Sequence, residues 1–167
     1  MRRIWLPVLV SILLVGTTAL PAVAGEDLPF KVRADRVWAG PLGPNPLCPD
    51  GYLGEESEYT GTGTHLGRLQ LFETLCLDLS SPPLTVFEVY GELVAANGDQ
   101  LNFHVVGEFN LATGEMASSG WVFDGGTGRF ESAEGQADEM LIRNSEGAII
   151  GVTAAGTITF DASDRSG

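Results

Sequence analysis

Two stretches, LTVFEVYGELVA (Leu84–Ala95) and QLNFHVVGEFNL (Gln100–Leu111), flank Ala96-Asn97-Gly98-Asp99 and read together as one β-hairpin. In the second stretch Leu101, Phe103, Val105 and Phe109 fall on one face, while Gln100, Asn102, His104 and Glu108 fall on the other. Side chains alternate across a strand, so this sheet has a dry side and a wet side. Asn97-Gly98 supplies the positive φ values of a tight type I′ turn, which makes the pairing antiparallel.

Outward from the hairpin the same pattern recurs. Toward the N-terminus, Leu66 to Leu79 places Leu69, Leu71, Leu75, Leu77 and Leu79 on one face and ends at Ser80-Ser81-Pro82-Pro83. Ser57 to His65 is a Thr/Gly-rich strand, and Phe30 to Ala39 precedes it across a Pro/Gly loop from Gly40 to Gly54. Toward the C-terminus, Ala112-Thr113-Gly114 turns into a strand from Glu115 to Phe123. A glycine run follows, then strands from Gln136 to Arg143 and Ala148 to Phe160 around Asn144-Ser145-Glu146-Gly147, and a frayed tail from Asp161. About eight strands at hairpin spacing, with no amphipathic helix, are the signature of an all-β closed meander or a sandwich; closure removes exposed edges, and a single antiparallel eight-stranded barrel is the expectation. Such a barrel is either filled by its own side chains or holds one small ligand.

The first residues read as an address. Arg2 and Arg3 precede an apolar stretch from Ile4 to Leu20, and Ala22-Val23-Ala24 is a small-x-small cleavage site. Residues 1 to 24 are therefore expected to be a signal peptide, leaving 25 to 167 as one domain that is secreted or periplasmic. Their removal takes two of the 9 basic side chains and none of the 22 acidic ones, so the net charge moves from −13 to −15. That field repels nucleic acid and anionic lipid, and neither is expected as a partner. Cys48 and Cys76 fit an oxidising compartment and are expected to pair, with two buried thiols or a metal site as the competing readings. The bridge is worth about 3 to 4 kcal/mol in the chain-entropy model. Neither cysteine lies in a C-x-x-C pair and both histidines are isolated, so no metal is expected. No cofactor motif is present: Gly61-Thr62-Gly63 does not extend to G-x-G-x-x-G, and neither a phosphate-binding loop nor a G-x-S-x-G elbow occurs.

Individual side chains suggest a site. Glu73 shares the face of Leu69, Leu71, Leu75 and Leu77, where a carboxylate is disfavoured in its charged form and acquires the pKa of a general acid or base. The competing reading is a bulged strand or a rim position. His65 has the same parity and is a candidate ligand-binding residue, although a strand of this length keeps it roughly 26 Å from Glu73. Trp38, Phe87, Phe103 and Trp121, with Phe130, are candidates to line an apolar pocket or simply to form core. Arg129 is expected to pair with an acid near a barrel mouth.

The run Gly125-Gly126-Thr127-Gly128-Arg129-Phe130, followed by Ala133-Glu134-Gly135, lets the backbone turn and approach its neighbours closely. It resembles the GGTG-x-F segment of the dirigent and allene oxide cyclase-like barrels. At the level of strand order the likeness runs from Gly61-Thr62-Gly63-Thr64 to Gly156–Phe160, and Thr64 to Arg68 resembles secreted bacterial chains of the same class. The resemblance implies an eight-stranded barrel, a trimer, and a cavity for a small apolar molecule. It also implies a cavity glutamate, a place Glu73 would fill. Dirigent chains continue the glycine run with arginine-containing sequence where this chain has Glu131-Ser132-Ala133-Glu134, so guidance of phenoxy radicals is not implied. Three functions follow as expectations: a secreted barrel that binds a small apolar molecule, a cofactor-free cyclase or isomerase, or an interaction protein with a filled barrel.

Overall fold

A computed structural model describes residues 26–160; the expected signal peptide and the tail from Asp161 lie outside the described residues. Ten strands and one 3-10 turn make up the fold. They are β1 (Leu28–Ala39), β2 (Gly43–Pro44), β3 (Leu53–Gly63), β4 (Gly67–Asp78), β5 (Leu84–Ala95), β6 (Gln100–Asn110), β7 (Met116–Ser118), β8 (Trp121–Gly126), the turn Gly128–Phe130, β9 (Glu134–Arg143) and β10 (Ile149–Thr159). Neighbours run β1-β10-β9-β8-β6-β5-β4-β3, and β3 pairs back onto β1. Eight antiparallel strands thus close a barrel, with β2 and β7 as additions outside the ring.

The hairpin reading of β5 and β6 holds in register from Leu84↔Asn110 to Val94↔Gln100. Its turn differs from the expected type. Only Gly98 has positive φ, the Gly98 amide donates to the Ala95 carbonyl, and the Ala95 amide donates to the Asp99 carbonyl. This is a three-residue loop with glycine in the left-handed position, which suits the strand twist as well as a type I′ turn does. The single strand expected from Glu115 to Phe123 is two, because Ser119 and Gly120 (φ 70°) interrupt it. Leu79, expected on the inner face of β4, lies past the strand end and is exposed.

The barrel is packed in one half and hollow in the other. The packed half holds Phe30, Leu71, Leu93, Leu101, Phe103, Val105, Trp121, Phe123, Val152 and Ile158, all buried. Trp121 stacks on Phe103 with ring centroids 4.2 Å apart, and Phe30 meets Phe123 edge-on at 4.7 Å. Gly91, the β5 residue opposite Phe103, makes this possible: a Cβ there would lie 2.0 Å from the Phe103 ring. Leu66 and Phe130 close that end, Phe130 against Phe160. The glycine run behaves as its composition predicts. Gly125 and Gly128 adopt positive φ, and Gly126 passes so near the Gln100 carbonyl that any Cβ would collide with it. Arg129 lies 3.5 Å from Asp99 across the neighbouring turn.

The hollow half lies toward the loops at residues 40–52, 79–83 and 144–148. Cys48 and Cys76 are joined there, tying the Pro/Gly loop to the outer face of β4. The wall is incomplete at the same level. β9 pairs with β8 only over Glu134–Ala137, so among the described residues Asp138–Arg143 has β10 on one side and no ladder partner on the other. β7 pairs with β6 alone, and the space between β7 and β9 is a slit in the wall.

Candidate functional site

A cavity of about 260 Å³ occupies the hollow half. Its walls are apolar: Leu75 and Leu77 from β4, Phe87 and Val89 from β5, Phe109 from β6, Leu141 from β9. Met116 and Ser118 on one side and Glu139 and Arg143 on the other flank the slit and also line it. Toward the packed half the lining turns polar. Arg36, Ser57, Tyr59, Glu73 and Glu139 meet there, each carried inward by alternation on β1, β3, β4 and β9.

Glu73 is the centre of this floor. β4 has no register shift, and Glu73 sits in ladder between Ser57 and Gly91, so neither the bulge nor the rim reading applies. Its Oε1 is shut off from bulk water and has no hydrogen-bond partner. Burial is the main reason its pKa is raised to about 8; the nearby Glu139 carboxyl adds to the rise, and Tyr59 and the Arg36 guanidinium oppose it. At neutral pH Glu73 is therefore chiefly a neutral acid that can donate or, on losing its proton, accept. Burial likewise raises the Glu139 pKa, countered by Trp121, whose indole nitrogen has no geometric hydrogen-bond partner. Tyr59 is pushed up by burial and by Glu73, and is a neutral hydroxyl.

Arg36 makes no ion pair with Glu73, and its charge offsets only part of the rise in the Glu73 pKa. Its guanidinium is bound to Glu55 and donates to Ser57 Oγ at 2.6 Å, with Tyr59 beneath it at 5.9 Å. Arg143 donates to the Gly147 carbonyl at 2.9 Å, away from the floor. Chemically, the floor presents two half-buried carboxyls, one with its Oε1 shut off from water, and neither in an ion pair among the described residues, next to a phenol and below an apolar chamber.

Several sequence expectations need correction against this geometry. Phe87, one of the candidates for an apolar pocket, lines the cavity. Trp38 does not: the ladder steps from Arg36↔Tyr59 to Trp38↔Glu58, so the extra residue Val37 turns Trp38 to the outside, where it lies with Leu47 and Phe72 in a surface groove. His65 is not on a strand at all. It occupies the β3–β4 turn with φ 62°, its Nε2 3.1 Å from the Pro29 carbonyl and its ring against Phe160, at the opposite end from Glu73. Phe103 and Trp121 face inward but are fully packed beneath the floor and do not line the cavity.

Reading the sequence missed Glu139, Tyr59, Arg36 and Glu55. Their signal was available in part. Glu139 alternates with Ala137 and Leu141, and Arg36 with Val32 and Ala34, by the same argument that singled out Glu73. Among the described residues no group of three or more His, Cys, Asp or Glu is placed to hold a metal ion. Also among them, no helix is long and apolar enough to cross a membrane. Comparison with protein-family models, curated proteins and solved structures finds no match to the chain.

Proposed function

We propose that the barrel binds a small, mainly apolar molecule in its hollow half, with its apolar body along Leu75, Val89 and Phe109 and its one polar group at Glu73. The observation that carries this reading is the buried, unpartnered Glu73 Oε1 facing an apolar chamber. A buried polar atom without a partner costs roughly 1–3 kcal/mol, and a ligand that satisfies it recovers that cost. The volume lies just below the roughly 300 Å³ at which drug-sized pockets begin, so the ligand is compact. The slit between β7 and β9 gives it a lateral way in. Native mass spectrometry of protein taken from its own host tests the proposal. A co-purifying small molecule is expected in the unaltered chain and absent from Val89→Trp, whose indole fills the chamber; equal occupancy of both sinks the reading.

A second reading is favoured by the raised pKa of Glu73. A neutral carboxylic acid in a dry chamber can act as a general acid on an epoxide or enol ether while the walls hold one conformation of the substrate. The likeness of Gly125–Phe130 to the allene oxide cyclase-like barrels points the same way, and a trimer belongs to that proposal. Glu73→Gln would then abolish turnover and leave ligand binding intact. The disulfide and the leader-like residues 1 to 24 support export from the cytoplasm in either case. The remaining expectation, a structural or interaction protein with a filled barrel, is disfavoured by the chamber of about 260 Å³.

A further inference from the structure

The charge inventory of the chamber narrows the ligand class, and this step rests on the binding reading above. Every titratable or charged group that faces the chamber comes from β1, β3, β4 or β9: Arg36, Glu55, Tyr59, Glu73, Glu139 and Arg143. β5 and β6 contribute only Phe87, Val89 and Phe109. Of the two cations, Arg36 is held by Glu55 and Ser57, and Arg143 by a backbone carbonyl. Among the described residues neither Glu73 nor Glu139 is in an ion pair, and Glu73 Oε1 has no hydrogen-bond partner; the Arg36 charge lowers the Glu73 pKa only in part, and Arg36 Nε is itself without a partner.

We infer that the chamber takes a small organic amine, its ammonium group facing the Glu73 and Glu139 carboxyls and its hydrocarbon part against the apolar walls. An ammonium has three donors and no acceptor, which matches the open Glu73 Oε1 and, once both have lost their protons, the carboxylates of Glu73 and Glu139; Arg36 Nε is the one open donor facing the same chamber. A carboxylate ligand would find Arg36 already engaged by Glu55 and Ser57 and would oppose ionisation of both acids. A neutral alcohol would satisfy Oε1 but leave the two acids competing for ionisation, whereas an ammonium stabilises the charged form of both. The acidic surface also raises the local concentration of cations outside the slit. Proton balance is simple: a neutral amine that enters takes the Glu73 proton onto its nitrogen, and one that enters as the ammonium displaces that proton to solvent.

Calorimetric titration of the full chain with hexylamine, hexanol and hexanoate, in two buffers of different ionisation enthalpy, tests this. Hexylamine is expected to bind about tenfold or more tighter than hexanol, since charge-assisted hydrogen bonds exceed neutral ones by this order. Its binding should release protons near neutral pH. Hexanoate should not bind. The Glu73→Gln, Glu139→Gln double variant should erase the margin of hexylamine over hexanol. Hexanol equal to or tighter than hexylamine overturns the amine assignment and leaves the chamber reading standing. Hexylamine binding that persists in the double variant is adhesion to the acidic surface and overturns the assignment too. If none of the three binds, both readings fall.

Discussion

Replacing Glu73 by Gln should make the protein more stable at neutral pH, and the gain should depend on pH in a defined way. Glu73 titrates near 4.5 in an unfolded chain and is raised to about 8 when folded, mainly by burial. Between those values the folded state holds a proton that the unfolded state has released. Stability is therefore fully present below about 4.5 and declines as pH rises, by about 1.4 kcal/mol per pH unit, until the folded group also ionises near 8. By pH 7 the accumulated loss is about 3 kcal/mol. Glutamine has the same shape and no charge, so Glu73→Gln escapes this loss. In urea, with a slope of about 2 kcal/mol per molar, its midpoint at pH 7 should lie about 1.5 M above that of the unaltered chain. At pH 4.5 the two midpoints should nearly coincide. Repulsion within so acidic a chain also weakens it at high pH, but equally in both proteins, so the difference isolates Glu73. Two denaturation profiles that stay parallel from pH 4.5 to 8 would refute the claim that burial of its Oε1 keeps this carboxyl protonated.

Other outcomes follow from the packing. Gly91→Ala puts a Cβ 2.0 Å from the Phe103 ring and should cost about 1–3 kcal/mol, with a changed near-ultraviolet circular dichroism signal from the Phe103–Trp121 stack; an unchanged melting temperature would mean that the stack yields easily. Replacing Cys48 and Cys76 together by serine should lower stability by about 3 kcal/mol in chemical denaturation, and a loss under about 1 kcal/mol would show that the unfolded chain is already compact around this loop. Arg129→Ala breaks a partly exposed 3.5 Å pair with Asp99 and should change stability by less than about 1 kcal/mol. Arg36→Met strands the Glu55 carboxylate beside a buried serine and should cost distinctly more in the same assay.

The central hairpin was legible because everything that specifies it is local: alternation on both arms and a turn within four residues. Closure was legible only by count. The β1–β3 and β1–β10 ladders that seal the ring join distant segments, and no local signal carries their register. The same limit explains Trp38. One inserted residue at Val37 reverses the face of everything after it, and a bulge leaves no mark in the alternation of a single strand. His65 was assigned by extending the β4 pattern through a tight turn. Glu73 was legible because it interrupts a run of leucines, whereas Glu139 sits among Gln136, Asp138 and Met140, where an acid draws no attention. The pairing of two carboxyls on a common floor depends on β4 and β9 facing each other across the barrel, which only the closed fold defines.

The covalent bond between residues 48 and 76 lies on the half of the molecule that has been emptied. Where aromatic rings fill the cylinder, cohesion comes from contact; around the chamber those contacts are missing, and a cross-link outside the wall, with Cys76 fully buried, stands in for them. Thiol reductants should therefore loosen the two ends unequally, fraying the strands that border the chamber while the ring-filled end keeps its protection from hydrogen exchange.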